Sequence, residues 1–178
     1  MLLKAELMDE SAVRRSIARI SHEIVEHYHG TDNLILLGIR RRGLPIAEMI
    51  ADNIARFENV RLPVGHIDIT RYRDDLTEPI EQPETADSFL PVSLDKRHII
   101  LVDDVIYTGR TVRAAIEFIF RSGRPASIAL AALIDRGHRE LPIRPDFVGK
   151  NVPTSKTELI AVHMPPFEED ICVKLCER

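Results

Sequence analysis

An α/β fold, a mostly parallel open sheet flanked by helices, is expected from this sequence on three grounds. Four consecutive apolar residues, Ile99, Ile100, Leu101 and Val102, suit a strand covered on both faces, as strands of a parallel sheet are. Runs of this kind alternate along the chain with segments whose apolar residues recur at helical spacing. The 178 residues, with ordinary hydrophobic (44%) and charged (29%) fractions, suffice for one core, so residues 1–178 are read as a single domain.

Asp9 is a good N-cap, and Val13, Ile17, Ile20, Ile24 and Tyr28 mark the apolar stripe of a first helix ending near Gly30. Arg15, Arg19 and His22, spaced four and three apart, project together from the side away from the core. Residues 34–39 form the next strand, followed by Arg40-Arg41-Arg42-Gly43 and a helix over about residues 44–57. Residues 64–70 read as another strand. From about 71 to 94 the chain is rich in charge and proline and shows no period, and a long irregular segment in a compact domain is usually functional, often a lid.

The apolar strand at 99–102 places Asp103 and Asp104 at its carboxyl end. Tyr107-Thr108-Gly109-Arg110-Thr111 follows as a turn, after which Val112, Ala115, Ile116, Ile119 and Phe120 recur at helical spacing. Residues 127–134 form a further strand broken by Asp135-Arg136-Gly137-His138, and residues 135 to about 157 are read as a second irregular stretch. Residues 158–164 and 171–175 are short strands near the end. Ligands of such sheets bind beyond the carboxyl ends of the strands, which brings four loops around one crevice.

The junction of strand, turn and helix carries the chemistry. Unpaired N–H groups at a helix start and the helix dipole favour a phosphate, and Gly109 lets the chain pass close to it while Thr108 and Thr111 add hydroxyls. Two adjacent carboxylates beside an anion site would repel a second phosphate, so Asp103 and Asp104 suit sugar hydroxyls or a magnesium ion. A ribose 5-phosphate satisfies both halves. In the loop after the second strand, glycines permit a tight backbone and Arg40, Arg41 and Arg42 can face a diphosphate. The loop of Leu133-Ile134-Asp135-Arg136-Gly137 borders a base by position alone, with backbone groups around Ile134 and Arg136 available to read a pyrimidine ring.

Taken separately, each fragment has a bland reading: a double Asp as a loop start with a cap, a triple Arg as a solvated face. Together, the apolar run, Asp103-Asp104, Thr108-Gly109-Arg110-Thr111 and the amphipathic helix closely resemble the PRPP-binding motif of the type I phosphoribosyltransferases. The runs Asp68-Ile-Thr-Arg-Tyr-Arg-Asp-Asp75, Asp135-Arg-Gly-His-Arg-Glu-Leu-Pro-Ile-Arg144 and Gly149-Lys-Asn-Val-Pro-Thr-Ser-Lys156 narrow the resemblance to the bifunctional pyrimidine operon regulators, over most of the chain from Asp9 to about Lys156. This resemblance implies a type I phosphoribosyltransferase fold with a hood loop, formed by the segment opening at Ile69. It also implies the reaction uracil plus PRPP giving UMP and pyrophosphate, with Mg2+, together with binding of pyrimidine-operon mRNA leaders under UMP or UTP control. Asp103 and Asp104 would hold the ribose hydroxyls, and the metal mainly through substrate or water. Tyr107, Thr108, Gly109, Arg110 and Thr111 would hold the 5-phosphate. Arg40, Arg41 and Arg42, with Arg71 or Arg73, would attend the diphosphate, and no residue stands out as an obligatory general base.

RNA binding by a chain of net charge −4 must use a local patch. Arg15, Arg19, His22, Arg139, Arg144 and Lys150, with Lys156, are the candidates, and Arg19, His22, Arg139, Arg144 and Lys150 stand at positions resembling the family's RNA face. Ala18 stands where members of that family carry a threonine, which removes a possible hydrogen bond to RNA. A metabolic phosphoribosyltransferase without specific RNA binding would leave these cations as plain surface. A signalling receiver domain would need acidic residues near its first strand and a later lysine at a strand end, and neither is convincing here. No apolar run is long enough for a membrane span, and Met1-Leu2-Leu3-Lys4-Ala5-Glu6 turns polar at once, so a cytoplasmic protein is expected. Cys172 and Cys176 are too few for a disulfide framework and are read as reduced thiols in a terminal strand. A homodimer or higher homo-oligomer is implied by the resemblance.

Overall fold

The computed structural model describes residues 2–69 and 88–177. Among these, a five-stranded parallel sheet has the order β3-β2-β4-β5-β6, built from β2 (Leu34–Ile39), β3 (Val64–Ile67), β4 (His98–Ile106), β5 (Ser127–Asp135) and β6 (Phe147–Asn151). Helices α1 (Glu10–Tyr28) and α2 (Gly43–Glu58) cover one face, and α3 (Arg110–Ser122) covers the other. Alternate residues of the strands feed the two cores. Leu34 and Leu36 of β2 with Ile100 and Val102 of β4 pack under α1 and α2, whereas Ile35, Leu37, Ile99 and Leu101 pack under α3. That is why the strands read as continuous apolar runs.

Asp9 caps α1, its Oδ1 accepting the Ala12 N–H at 2.7 Å, and Val13, Ile17, Ile20 and Ile24 are buried as their spacing demands. The helix ends on His29 in the left-handed conformation, one residue before Gly30. Glycine matters most at the start of α2. A Cβ on Gly43 would strike the Val102 carbonyl, and one on Gly38 would strike the Leu44 backbone, so these two positions let α2 begin close against β2 and β4.

Two expectations for the later part of the chain are corrected. β4 does not stop at Val102 but runs to Ile106, so Asp103 and Asp104 lie within the strand, with Asp103 in register with Ala132 of β5. The stretch 135–157 is not irregular throughout, because β6 pairs parallel to β5 at the sheet edge. Its sequence, Phe-Val-Gly-Lys-Asn, has two apolar residues and no alternation to betray it. Beside the parallel sheet, β1 (Leu2–Met8), β8 (Cys172–Glu177) and β7 (Glu158–His163) form an antiparallel sheet in the order β1-β8-β7. β1 is an edge strand that the sequence did not announce, and Leu2 to Glu6 are exposed along it.

The strand expected at 64–70 ends at Ile67 within the described residues, and Phe89 returns to bridge His66 in an antiparallel contact. Most of the segment from 71 to 94 lies outside the described residues, Arg71 and Arg73 included. Cys172 and Cys176 are free, buried thiols in β8. No described helix is long and apolar enough to cross a membrane.

Candidate functional site

At the carboxyl end of the parallel sheet a cavity of about 600 Å³ is lined by Arg40, Arg41 and Arg42, Asp68 and Ile69, Asp103, Asp104 and Val105, Thr111 and Phe167. A second, of about 400 Å³, is lined by Tyr107, Thr108, Gly109, Arg110 and Thr111 together with Asp103, Ile106, Val112 and Glu140. The two share Asp103, Val105 and Thr111 and so form one crevice with the carboxylates at its waist. The expected diphosphate, ribose and 5-phosphate residues thus lie side by side in that order.

The central pair is held by its own backbone. Asp103 Oδ1 accepts the Asp104 N–H at 2.9 Å, and Asp104 Oδ1 accepts the Val105 N–H at 2.8 Å. Asp103 is only 6% exposed. Burial, and then the neighbouring Asp104 carboxylate, push its carboxyl well above the usual range. A buried acid that resists ionisation beside a second, half-exposed one is a donor set that a hydroxyl-rich sugar or a hydrated dication would satisfy.

On the arginine side, the backbone N–H of Arg40 donates to Ile67 O at 3.0 Å, and its guanidinium stands 3.8 Å from Asp68. The Arg40–Arg41 peptide is cis. Arg42 is held by Glu168, from the connection between β7 and β8, with Nε to Oε2 at 3.4 Å and a closer second contact through Nη2. That pairing holds the Glu168 carboxyl below its usual value.

On the other side, Gly109 has a φ of 94° and precedes α3, which has no side-chain cap. The Arg110 N–H donates to Thr108 Oγ1 at 3.3 Å, and this helix start lines the cavity together with Thr108 and Thr111, an arrangement suited to a phosphate. Arg110 Nε donates to Glu140 at 2.8 Å.

In the loop expected to border a base, the side chains of Ile134 and Arg136 turn inward. Ile134 is fully buried in β5, and its side chain belongs to the core. Arg136 is 4% exposed, and its guanidinium donates to Thr154 Oγ1 (3.0 Å), Ser155 O (3.2 Å) and Glu158 O (2.9 Å) while lying 4.2 Å from the Tyr107 ring centroid. It ties the 154–158 segment to Tyr107.

The expected RNA residues fall into groups. Arg15, Arg19 and Lys150 line a groove of about 340 Å³ with Leu7, Met8, Ala12, Ser16 and Gly149. Arg19 bridges from α1 to β6, donating to Val148 O (3.0 Å) and Gly149 O (2.7 Å) and pairing with Glu23 at 2.6 Å. Lys150 Nζ donates to Leu7 O at 3.1 Å. His22 stacks on Phe57 of α2, ring centroids 4.0 Å apart. Arg144 and Lys156 are exposed. Arg139 is instead engaged internally. It donates to Ile143 O (2.7 Å), Tyr107 O (2.8 Å) and Gly137 O (3.4 Å) and pairs with Asp135 at 2.5 Å, leaving its side chain 18% exposed.

Sequence reasoning missed Phe167, Glu168 and Glu140 at the crevice. The first two come from the antiparallel sheet, some 60 residues beyond the Asp pair, and no local motif marks them. Glu140 sits in the quoted 135–144 run, but its contact with Arg110 is a tertiary one.

Residues 5–166 match the family described as "Phosphoribosyl transferase domain". The chain is 53% identical over 178 residues to a "Bifunctional protein PyrR" of Clostridium novyi (strain NT), covering all of both chains. It is 56% identical over 162 residues to one of Thermoanaerobacter sp. (strain X514), covering 91% of each. Its fold matches a solved hypoxanthine phosphoribosyltransferase of Trypanosoma cruzi with a TM-score of 0.74 at 18% identity, covering 98% of this chain and 97% of the other. A hypoxanthine phosphoribosyltransferase of Staphylococcus aureus gives 0.73 at 17% identity, with 98% and 93% covered. At such identities these two structures speak to the fold alone.

Proposed function

The chain belongs to the phosphoribosyl transferase family and, within it, to the bifunctional PyrR proteins; from that premise we propose that it makes UMP and pyrophosphate from uracil and PRPP and binds pyrimidine-operon leader RNA in response to uridine nucleotides. The observation that carries the catalytic half is the position of Asp103 and Asp104 between an arginine-lined cavity and the loop at 107–111. A molecule bearing a diphosphate, a vicinal diol and a 5-phosphate matches that order of groups, and PRPP is such a molecule.

The reaction forms a bond from a ring nitrogen of the base to the anomeric carbon as the bond to diphosphate breaks, and positive charge develops on the ribose. The protein orients the ribose through Asp103 and Asp104, and the Asp104 carboxylate also favours that cation. Arg40, Arg41 and Arg42 neutralise the departing diphosphate, and residues 107–111 anchor the 5-phosphate as a fixed handle far from the reacting carbon. Arg73 is assigned to the diphosphate with them, on the resemblance of its loop to the family's hood. The two aspartates offer carboxyl oxygens to the cavity they line with Arg40, Arg41 and Arg42, a donor set that would fit Mg2+ through water and substrate oxygens. Mg2+ bound there would supply charge neutralisation on the diphosphate.

For the regulatory half, a protein of net charge −4 needs a local cationic surface, and the groove of Arg15, Arg19 and Lys150 with exposed Arg144 supports that reading. Contacts to unpaired bases of a loop would supply sequence preference. A cytoplasmic location and self-association belong to the same proposal.

Uracil-dependent pyrophosphate release by the wild type and by Asp104→Asn tests the catalytic half. Turnover in the wild type with a loss of roughly 100-fold or more in the variant, with the fold retained, supports it, since this is the scale of losing one charge-stabilising group. Near-normal turnover of the variant removes Asp104 from the ribose role, and no turnover in the wild type removes the activity.

A further inference from the structure

Residues 139–143 lie directly on the phosphate loop. The Thr108 carbonyl accepts the N–H groups of Glu140 (3.0 Å) and Leu141 (3.2 Å), and the Tyr107 carbonyl accepts from Arg139. Leu141 and Ile143 stand over Gly109 so closely that an added Cβ there would be in contact with both, at 3.4 and 3.5 Å. The Glu140 carboxylate, which lines the same cavity, accepts from Arg110 Nε at 2.8 Å. An anionic side chain therefore already occupies a cation at the mouth of the site assigned to a 5-phosphate.

Two neighbouring side chains of this segment are held with unequal strength. Arg139 is a sheltered hub joining the phosphate loop, Asp135 and the Ile143 carbonyl. The Arg110–Glu140 pair is open to solvent, with side chains 42% and 52% exposed, and such pairs are weak. A phosphate dianion carries more charge and more acceptor oxygens than a carboxylate and so is the stronger partner for Arg110. Arg144, an exposed cation assigned to RNA, directly follows the segment.

We propose that Glu140 is an internal competitor for the nucleotide 5-phosphate at Arg110, and that its release lets the segment 139–143 report nucleotide occupancy to the neighbouring Arg144 surface. This rests on the regulatory reading above. The ligand class is a nucleoside 5-monophosphate. By linkage, a state of the segment favoured by both UMP and RNA makes each ligand strengthen the other.

Glu140→Gln removes the charge and keeps the shape. Calorimetric titration of the full-length protein with UMP should show affinity raised roughly two- to five-fold, the scale of an exposed ion pair, while affinity for uridine, which lacks the phosphate, stays unchanged. RNA affinity without UMP should rise toward the UMP-saturated value, so the enhancement by UMP shrinks. Unchanged or weaker UMP binding overturns the competition. Tighter UMP binding with the full RNA enhancement intact overturns the reporting role. If the wild type binds no leader RNA at all, the regulatory reading fails and the reporting role with it, while the UMP and uridine titrations still decide whether Glu140 competes.

Discussion

Glu168, carried by the connection between β7 and β8, grips the guanidinium of Arg42 in the arginine loop after β2, 126 residues away in sequence. The same carboxylate accepts the Met164 N–H at 2.9 Å, so one acidic group fixes both its own turn and a cation of the diphosphate side. The antiparallel sheet is thereby coupled to the crevice.

Glu168→Gln should free the Arg42 charge for the diphosphate and lower the KM for PRPP a few-fold, read from initial rates at saturating uracil. It should also lower Tm, with a characteristic pH dependence. Hydrogen bonding by Arg42, foremost among the causes, holds the Glu168 carboxyl below its usual 4.5 in the folded protein. The pair therefore stabilises the fold above that value, and the contribution is lost as pH falls and the carboxyl protonates. The Tm gap between wild type and variant should be widest near neutrality and close on acidification; a gap that widens in acid would contradict the assignment.

Asp103→Asn should abolish most turnover yet stabilise the protein at neutral pH. Burial raises the Asp103 carboxyl above its unfolded value, so the wild type loses stability as pH rises through the interval between the two values, and an amide escapes that loss. The Asn carbonyl can keep the 2.9 Å bond from Asp104 N. Thermal melting at pH 7 to 8 should show a gain of roughly 2–4 °C, the shift that about 1 kcal/mol produces in a domain of this size. A large drop in Tm would mean that Asp103 is held in its ionised form by contacts that the amide cannot replace.

Arg19→Gln should weaken leader-RNA binding, reduce the slope of log affinity against log salt by about one, and spare turnover. Because Arg19 also fastens α1 to β6 through Val148 O and Gly149 O, melting of the variant should accompany the binding assay. Unchanged affinity at several salt concentrations would exclude Arg19 from the interface.

Gly43→Ala should damage both fold and site. Its Cβ would meet the Val102 carbonyl, immediately before Asp103, so α2 must shift and carry the arginine loop with it. A destabilisation of roughly 1–3 kcal/mol by chemical denaturation is the scale of overpacking in a close-packed region, and a wild-type denaturation curve would contradict the tight approach.

The two cores were legible because β2, β4 and β5 are buried on both faces and α1 and α3 carry clear apolar stripes. The junction between β4 and α3 was legible because strand, glycine turn and helix start are consecutive in sequence, so a local motif records their geometry. β6 and β1 were not: β6 has only two apolar residues, β1 buries only Met8, and the pairing of such edge strands is decided by distant partners. Arg139 shows the limit most clearly. As a cation in a polar run it reads as surface, yet Asp135 and three carbonyls from residues 107–143 enclose it, and only the fold brings them together. Glu168 and Phe167 reach the crevice from a sheet whose existence depends on the pairing of β8 with both β1 and β7.

The bifunctional reading is tested most directly by measuring the affinity of the purified protein for its own pyrimidine-operon leader RNA with and without UMP, in the same preparation that is assayed for uracil-dependent pyrophosphate release. Specific binding that UMP strengthens, together with turnover, is the expected result. Turnover with RNA binding that is nonspecific and indifferent to UMP would contradict it and leave a salvage enzyme whose cationic groove is only surface.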